Sequence, residues 1–295
     1  MWGCLCSTKR FAAFGVVAFL LPASAFWGQE LNNNEVLSFR GSTITSGRPL
    51  VDAANVLQAR YGKPVTCEDP LWVWSGDLER RSDTPWFFPL RRTTTLPSGL
   101  SPDQTPILDA SVLARVLDEY NKLNEAPRFR VLESKFGLHI VPDIVHDASG
   151  VAVPAKNLLD APVTIPRATR TASGHFQAIC AAAAPKDATM VCAAIGFGRN
   201  WFEDLFAAPG GVLEWGASGV NARDALIDLL EQSATTFSWR LACEPDVTPG
   251  NHYCVLQLGF IRTTRTGSGV NTAAGRLEYD RCPQCAPPGR SPGAH

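Results

Sequence analysis

The chain has 295 residues, with 27 basic against 28 acidic side chains and no run dense in lysine or arginine. That balance argues against a nucleic-acid partner, which calls for a basic stripe or basic residues interleaved with aromatics. The length suits one large domain or two ordinary ones, and nine cysteines suit an oxidising compartment.

Lys9 and Arg10 precede an apolar run from Phe11 to Leu21, followed by Pro22 and Ala23-Ser24-Ala25. A basic start, a short apolar stretch and a small-x-small site form a signal peptide over residues 1–25, cleaved near Ala25. The run is short for a bilayer span, which needs about 20 apolar residues. No later stretch is apolar enough to span, so the mature chain is expected to have no transmembrane segment and to be periplasmic or secreted.

The first domain is expected over residues 30–142. Val36 to Phe39 and Thr43 to Thr45 read as a strand kinked at Gly41. Pro49 suits the first turn of a helix, where its missing N–H has no helical partner. Leu50, Ala53, Ala54, Leu57 and Tyr61 form the apolar stripe of that helix, and Gly62 stops it. Lys63 to Cys67 is a strand.

Residues 68–106 hold six prolines and the aromatics Trp72, Trp74, Trp86, Phe87 and Phe88. An irregular insertion of this length is usually functional or disordered. Its aromatics either plug the core beneath it or form an exposed face that grips a partner, since such side chains anchor interfaces. They are the candidate partner-binding residues.

A second helix spans Ala110 to Glu125, with Leu113, Val116, Leu117, Tyr120 and Leu123 at helical spacing. Two short strands follow, Arg128 to Leu132 and Leu138 to Val141. Residues 143–161, with Asp147-Ala148-Ser149-Gly150 and further prolines, read as a linker.

The second domain is expected over residues 162–262. It opens with a strand at Pro162 to Pro166, a helix carrying Phe176, Ile179 and Cys180, and a strand at Ala188 to Ile195. Val212 to Trp215 is a further strand. Asn221 is an N-cap, and Ala222, Ala225, Leu226, Leu229 and Leu230 share one helical face. Phe237 to Ala242 and Tyr253 to Ile261 alternate as the two strands of a hairpin. Residues 263–295, rich in Gly, Pro and Arg, read as a disordered tail.

The fold class is therefore α+β: two small domains of mixed or antiparallel sheet with helices on one face. The element order of the halves suggests an internal duplication. The second half has one strand more before its second helix.

Seven cysteines follow the signal peptide. Sequence alone does not fix their connectivity; the expected pairs are Cys243–Cys254 across the hairpin and Cys180–Cys192 between a helix and the next strand. Cys67 is left unpaired. Cys282-x-x-Cys285 fits a disulfide or a flexible thiol pair, half a metal site shared with a partner, or a redox pair. Its Pro- and Gly-rich flanks argue against the helix a redox pair needs. No histidine has zinc-site spacing to another ligand, His146-Asp147 adjacency does not make a catalytic pair, and no nucleophile elbow is present. No catalytic, cofactor or metal residue is expected.

Gly47-Arg48-Pro49-Leu50-Val51-Asp52-Ala53-Ala54, with Leu57 and Tyr61-Gly62-Lys63-Pro64-Val65-Thr66, resembles the helix and following strand of the secretin and TonB N-terminal short domain. So does Ala222 to Leu230 followed by Phe237-Ser238-Trp239. The resemblance covers about a third of the chain and implies small α/β modules that dock on other envelope proteins. No barrel or pore sequence follows, and the aromatic insertion has no counterpart in that family. The expected function is an exported, non-enzymatic binding or scaffold protein of the bacterial envelope, with an envelope protein as partner. The alternatives are a secreted hydrolase or thiol oxidoreductase, and a binder of cell-wall glycan.

Overall fold

The structure is a computed structural model that describes residues 43–80, 82, 87–97, 107–185, 188–194, 202–206, 209–245, 252–266 and 269–274. The signal peptide, Trp86, Cys282 and Cys285 lie outside the described residues. The fold is α+β, with four α-helices and a set of mixed and antiparallel sheets among the described residues.

The first half contains β1 (Thr43–Ser46), α1 (Pro49–Tyr61), β2 (Val65–Glu68), β3 (Leu78–Arg80), β4 (Phe87–Pro89), β5 (Arg92–Thr95), α2 (Ala110–Leu123), β6 (Arg128–Glu133), β7 (Leu138–His146) and β8 (Ala152–Pro154). The second contains β9 (Pro162–Thr171), α3 (Ala172–Ala183), β10 (Ala188–Ala194), β11 (Val212–Asn221), α4 (Ala222–Leu230), β12 (Phe237–Cys243), β13 (His252–Thr266) and β14 (Gly269–Ala274).

The helices form where local chemistry allows. Pro49 opens α1, and Gly62 ends it at φ 66°. The left-handed region costs glycine little. Asp109 accepts the Val112 N–H at 2.9 Å and caps α2. Asn221 accepts the Asp224 N–H at 2.8 Å and caps α4. Each cap satisfies a donor that the helix itself cannot.

The two halves use the same pairings. In the first, β1 pairs antiparallel with β5, β2 runs parallel to β7, and β7 pairs antiparallel with β6. In the second, β9 pairs antiparallel with β11, β10 runs parallel to β13, and β13 pairs antiparallel with β12. The strand β11, expected in the second half alone, pairs with β9 as β5 pairs with β1.

The halves are joined edge to edge. β12 lies parallel to β2, with Arg240 opposite Cys67 and Leu241 opposite Glu68, so one sheet runs β10-β13-β12-β2-β7-β6. Two hydrophobic clusters pack on it. One gathers Leu57, Val65, Leu113, Leu117, Leu138 and Ile140, the other Phe176, Ile179, Leu226, Phe237, Trp239 and Leu256.

Three expectations change. The insertion at 68–106 is more regular than its composition suggests, because it contains β3, β4 and β5. The stretch read as a linker is a hairpin. β7 continues to His146, Asp147 Oδ1 accepts the N–H groups of Ser149 and Val151, Gly150 turns at φ 84°, and β8 returns along β7. The side chain of Asp147 thus builds the turn, as Asx turns do. The stretch read as tail begins with strand, since β13 runs to Thr266 and pairs with β14.

Candidate functional site

Two buried polar clusters and one groove stand out among the described residues. The first cluster lies beneath the β3–β4 hairpin. Asp77, with a side chain only 7% exposed, takes Arg92 on one oxygen at 2.5 Å and His146 Nδ1 on the other at 2.9 Å. Arg92 also donates to the Ala126 carbonyl at 2.9 Å. The Leu90 N–H bonds the Asp77 carbonyl at 2.7 Å, which ties the strand leaving the hairpin to the same base.

On this base sits Trp74. Its ring meets His146 edge-on at 4.3 Å between centroids. Gly150 packs so closely that a Cβ there would lie 2.7 Å from the indole. Trp74, Phe87 and Phe88 are half-buried. Phe87 and Phe88 lie on β4 opposite Arg80 and Glu79. Leu90 and Val151, next along the chain from this arrangement, are exposed at 39% and 57%. Trp74 is thus held by His146, which Asp77 fixes in turn.

Trp72 is a correction. It is 4% exposed and belongs to the hydrophobic cluster of the second half, with the Arg92 guanidinium 6.0 Å from its ring centre. A side chain with so little surface cannot grip a partner. It joins the insertion to the second half instead.

The second cluster locks the halves together. Arg223, at the start of α4, grips Glu68 of β2 through two bonds of 2.9 Å and also pairs with Asp160. Arg48 bonds Asp69 at 2.6 Å and the Cys243 carbonyl at 2.9 Å, while Asp69 accepts the Cys243 N–H. Bidentate guanidinium–carboxylate pairs fix orientation as well as charge.

Burial raises the Glu68 carboxyl above its ordinary range, against the opposing pull of Arg223. Burial pushes the Asp160 carboxyl up, but the hydrogen bonds from Arg223 and Asn157 and the charges of Arg223 and Arg130 together outweigh it and hold that carboxyl low. His139 stacks on Trp239 at 4.9 Å, with Thr66 Oγ1 on Nδ1 at 2.9 Å and Ser134 Oγ on Nε2 at 2.7 Å. Burial, aided by the charge of Arg223, pulls its pKa down to about 4.

The groove, of about 440 Å³, lies between the β6–β7 turn, β11 and α4. Ser134, Lys135, Gly216, Ser218, Asp224 and Asp228 line it. Lys135 is paired with Glu231 at 2.5 Å, and Asp228 accepts the Trp215 indole N–H at 2.8 Å.

The five described cysteines fall as the sequence suggested. Cys180 is bonded to Cys192 and Cys243 to Cys254. Cys67 is free and buried, and burial pushes its thiol pKa well up. A thiol held protonated is a poor nucleophile. Among the described residues no group of His, Cys, Asp and Glu is placed to hold a metal ion, and no helix is long and apolar enough to cross a membrane.

Local spacing could not reveal the two polar clusters. Asp77 and His146 are 69 positions apart, and Glu68 and Arg223 are 155 apart. The local signal was confined to His146 at the end of the largely apolar β7; Arg92, among threonines, gave none.

In comparison with known proteins, no family model, no curated protein and no solved structure matches this chain.

Proposed function

We propose that the protein is an exported binding or scaffold protein of the bacterial envelope, built from two modules of the short-domain kind and capturing an envelope protein through the β3–β4 hairpin. The observation that carries this reading is half-buried Trp74, held against His146 of the Asp77–Arg92–His146 cluster, together with half-buried Phe87 and Phe88 on the neighbouring strand β4. Aromatic anchors bind best when they are rigid before the partner arrives, because less ordering entropy is lost on contact. The two disulfides support an oxidising compartment. The buried Arg223–Glu68 lock supports a fixed platform in place of two swinging domains.

The test is crosslinked capture in the envelope with the wild-type chain and with Trp74→Ala and Phe88→Ala. The reading expects an envelope protein that is recovered with wild type and lost with either variant, while both variants keep the native melting transition. Retention of the same protein by both variants would sink it. Recovery of wall polymer alone would favour glycan binding.

A second reading, a secreted enzyme, draws on the Asp77–His146 contact. A carboxylate on Nδ1 orients an imidazole to act as a base through Nε2. That reading expects His146→Ala to abolish a turnover found in a hydrolase substrate screen; an unchanged rate would remove it.

A further inference from the structure

The joint between the halves is a template for what the two outer edges of the sheet could do. On β12 the residues facing away from β13 are Trp239, Leu241 and Cys243, and the Leu241 carbonyl takes the Asp69 N–H at 2.8 Å. Matching the ends of the two hairpins, Glu133 with Leu138 and Cys243 with Cys254, makes Phe129, Val131 and Glu133 of β6 the equivalent outward positions. On the other partner of the joint, the same match makes Cys192 the equivalent of Cys67 and places Ala193 and Ala194 at Glu68 and Asp69.

So, among the described residues, β6 offers the edge that β12 uses, and β10 offers the edge that β2 uses. These two edges differ from the joined pair in two ways. First, each carries a side-chain amide. Asn121 of α2 donates to the Phe129 carbonyl at 2.9 Å and accepts the Phe129 N–H at 3.0 Å, filling a whole rung of β6. Gln177 of α3 donates to the Cys192 carbonyl of β10 at 2.8 Å. Second, among the described residues the ionic lock has no equivalent at these edges. The caps Asp109 and Asn221 align, which puts Ser111 where Arg223 stands; the caps Thr171 and Arg48 align likewise.

An open strand edge pairs with another edge unless something blocks it. A β10-to-β6 contact is head-to-tail, so it would add molecule to molecule into rings or chains. We infer that Asn121 and Gln177 hold the two outer edges shut, and that the partner these edges would otherwise take is a second copy of this chain, β10 of one molecule on β6 of the next, as β2 lies on β12. The amides do in the folded chain what an added strand would do, and the array stops at two modules.

The experiment is light scattering after size exclusion on the full chain with its disulfides formed, over a rising concentration series. Wild type is expected to stay monomeric. The Asn121→Ala, Gln177→Ala double variant is expected to more than double its average mass as concentration rises. Adding Val131→Pro, which removes an outward N–H that β7 does not use, should return the double variant to monomer. Asn121→Asp keeps the acceptor for Phe129 and frees only its carbonyl, so it should associate more weakly in the same direction. The inference is overturned if wild type associates equally, if the double variant and Asn121→Asp both stay monomeric, or if association survives Val131→Pro, which would mark it as unspecific.

Discussion

Acid should weaken the joint between the halves through His139, and the size of the effect follows from where that ring sits. His139 is 1% exposed, stacked on Trp239 and hydrogen-bonded on both nitrogens by hydroxyls. Its pKa falls from an ordinary 6.5 to about 4. Between those values the unfolded chain binds a proton that the folded chain does not. The stabilisation is therefore complete above about pH 6.5 and is lost as pH falls towards 4. At 1.36 kcal/mol per unit, that is about 3 kcal/mol across the window. Asp160, held low by Arg223, loses stability in the same direction at lower pH. Glu68 opposes both, because its raised pKa makes its charge costly at neutral pH and that cost shrinks in acid. A comparison with His139→Phe isolates the histidine. Phenylalanine preserves the stacking and removes the ring's bonds to Thr66 and Ser134, a cost that does not vary with pH. Urea unfolding from pH 7.5 down to 4.5 should show wild type losing stability more steeply than the variant. Equal slopes would refute the burial argument.

Three further outcomes follow from named contacts. Arg223→Met leaves Glu68 buried without its partner and should cost about 3–5 kcal/mol in urea unfolding; adding Glu68→Leu should recover most of that, since the pair is then replaced by apolar groups. Gly150→Ala forces a side chain into the left-handed region and against Trp74, and should lower stability by about 1–3 kcal/mol, read as a fall in Tm; an unchanged Tm would mean that Trp74 gives way freely. Cys67, protonated and buried, should resist alkylation in the folded protein and react once it is denatured, which mass spectrometry would show; rapid labelling of native protein would contradict the burial.

The helices were legible because their signals are local. Pro49 with Gly62, Asn221 with the Ala225-Leu226 stripe, and the spacing of Leu113, Val116 and Leu117 each fix a helix within one short window. Cys243 and Cys254 were legible because a hairpin fixes who faces whom. β5 was not legible, because Arg92-Thr93-Thr94-Thr95 has no apolar alternation of its own; its buried positions are Arg92 and Thr94, and it is a strand only because β1 pairs with it. Trp72 illustrates the same limit, since a tryptophan in a Pro-rich stretch reads alike whether it is buried or exposed. The joint itself depends on Cys67 and Glu68 meeting Arg240 and Leu241, and no period in the sequence reports a contact across that distance.

The most direct measurement places a photocrosslinking residue at Phe88 and, in a separate variant, at Ile107, which is 70% exposed on the approach to α2, and illuminates each in the native envelope. Position 88 is expected to give a discrete adduct with one envelope protein, and position 107 none. The same adducts from both positions, or none from position 88, would contradict capture by the aromatic hairpin.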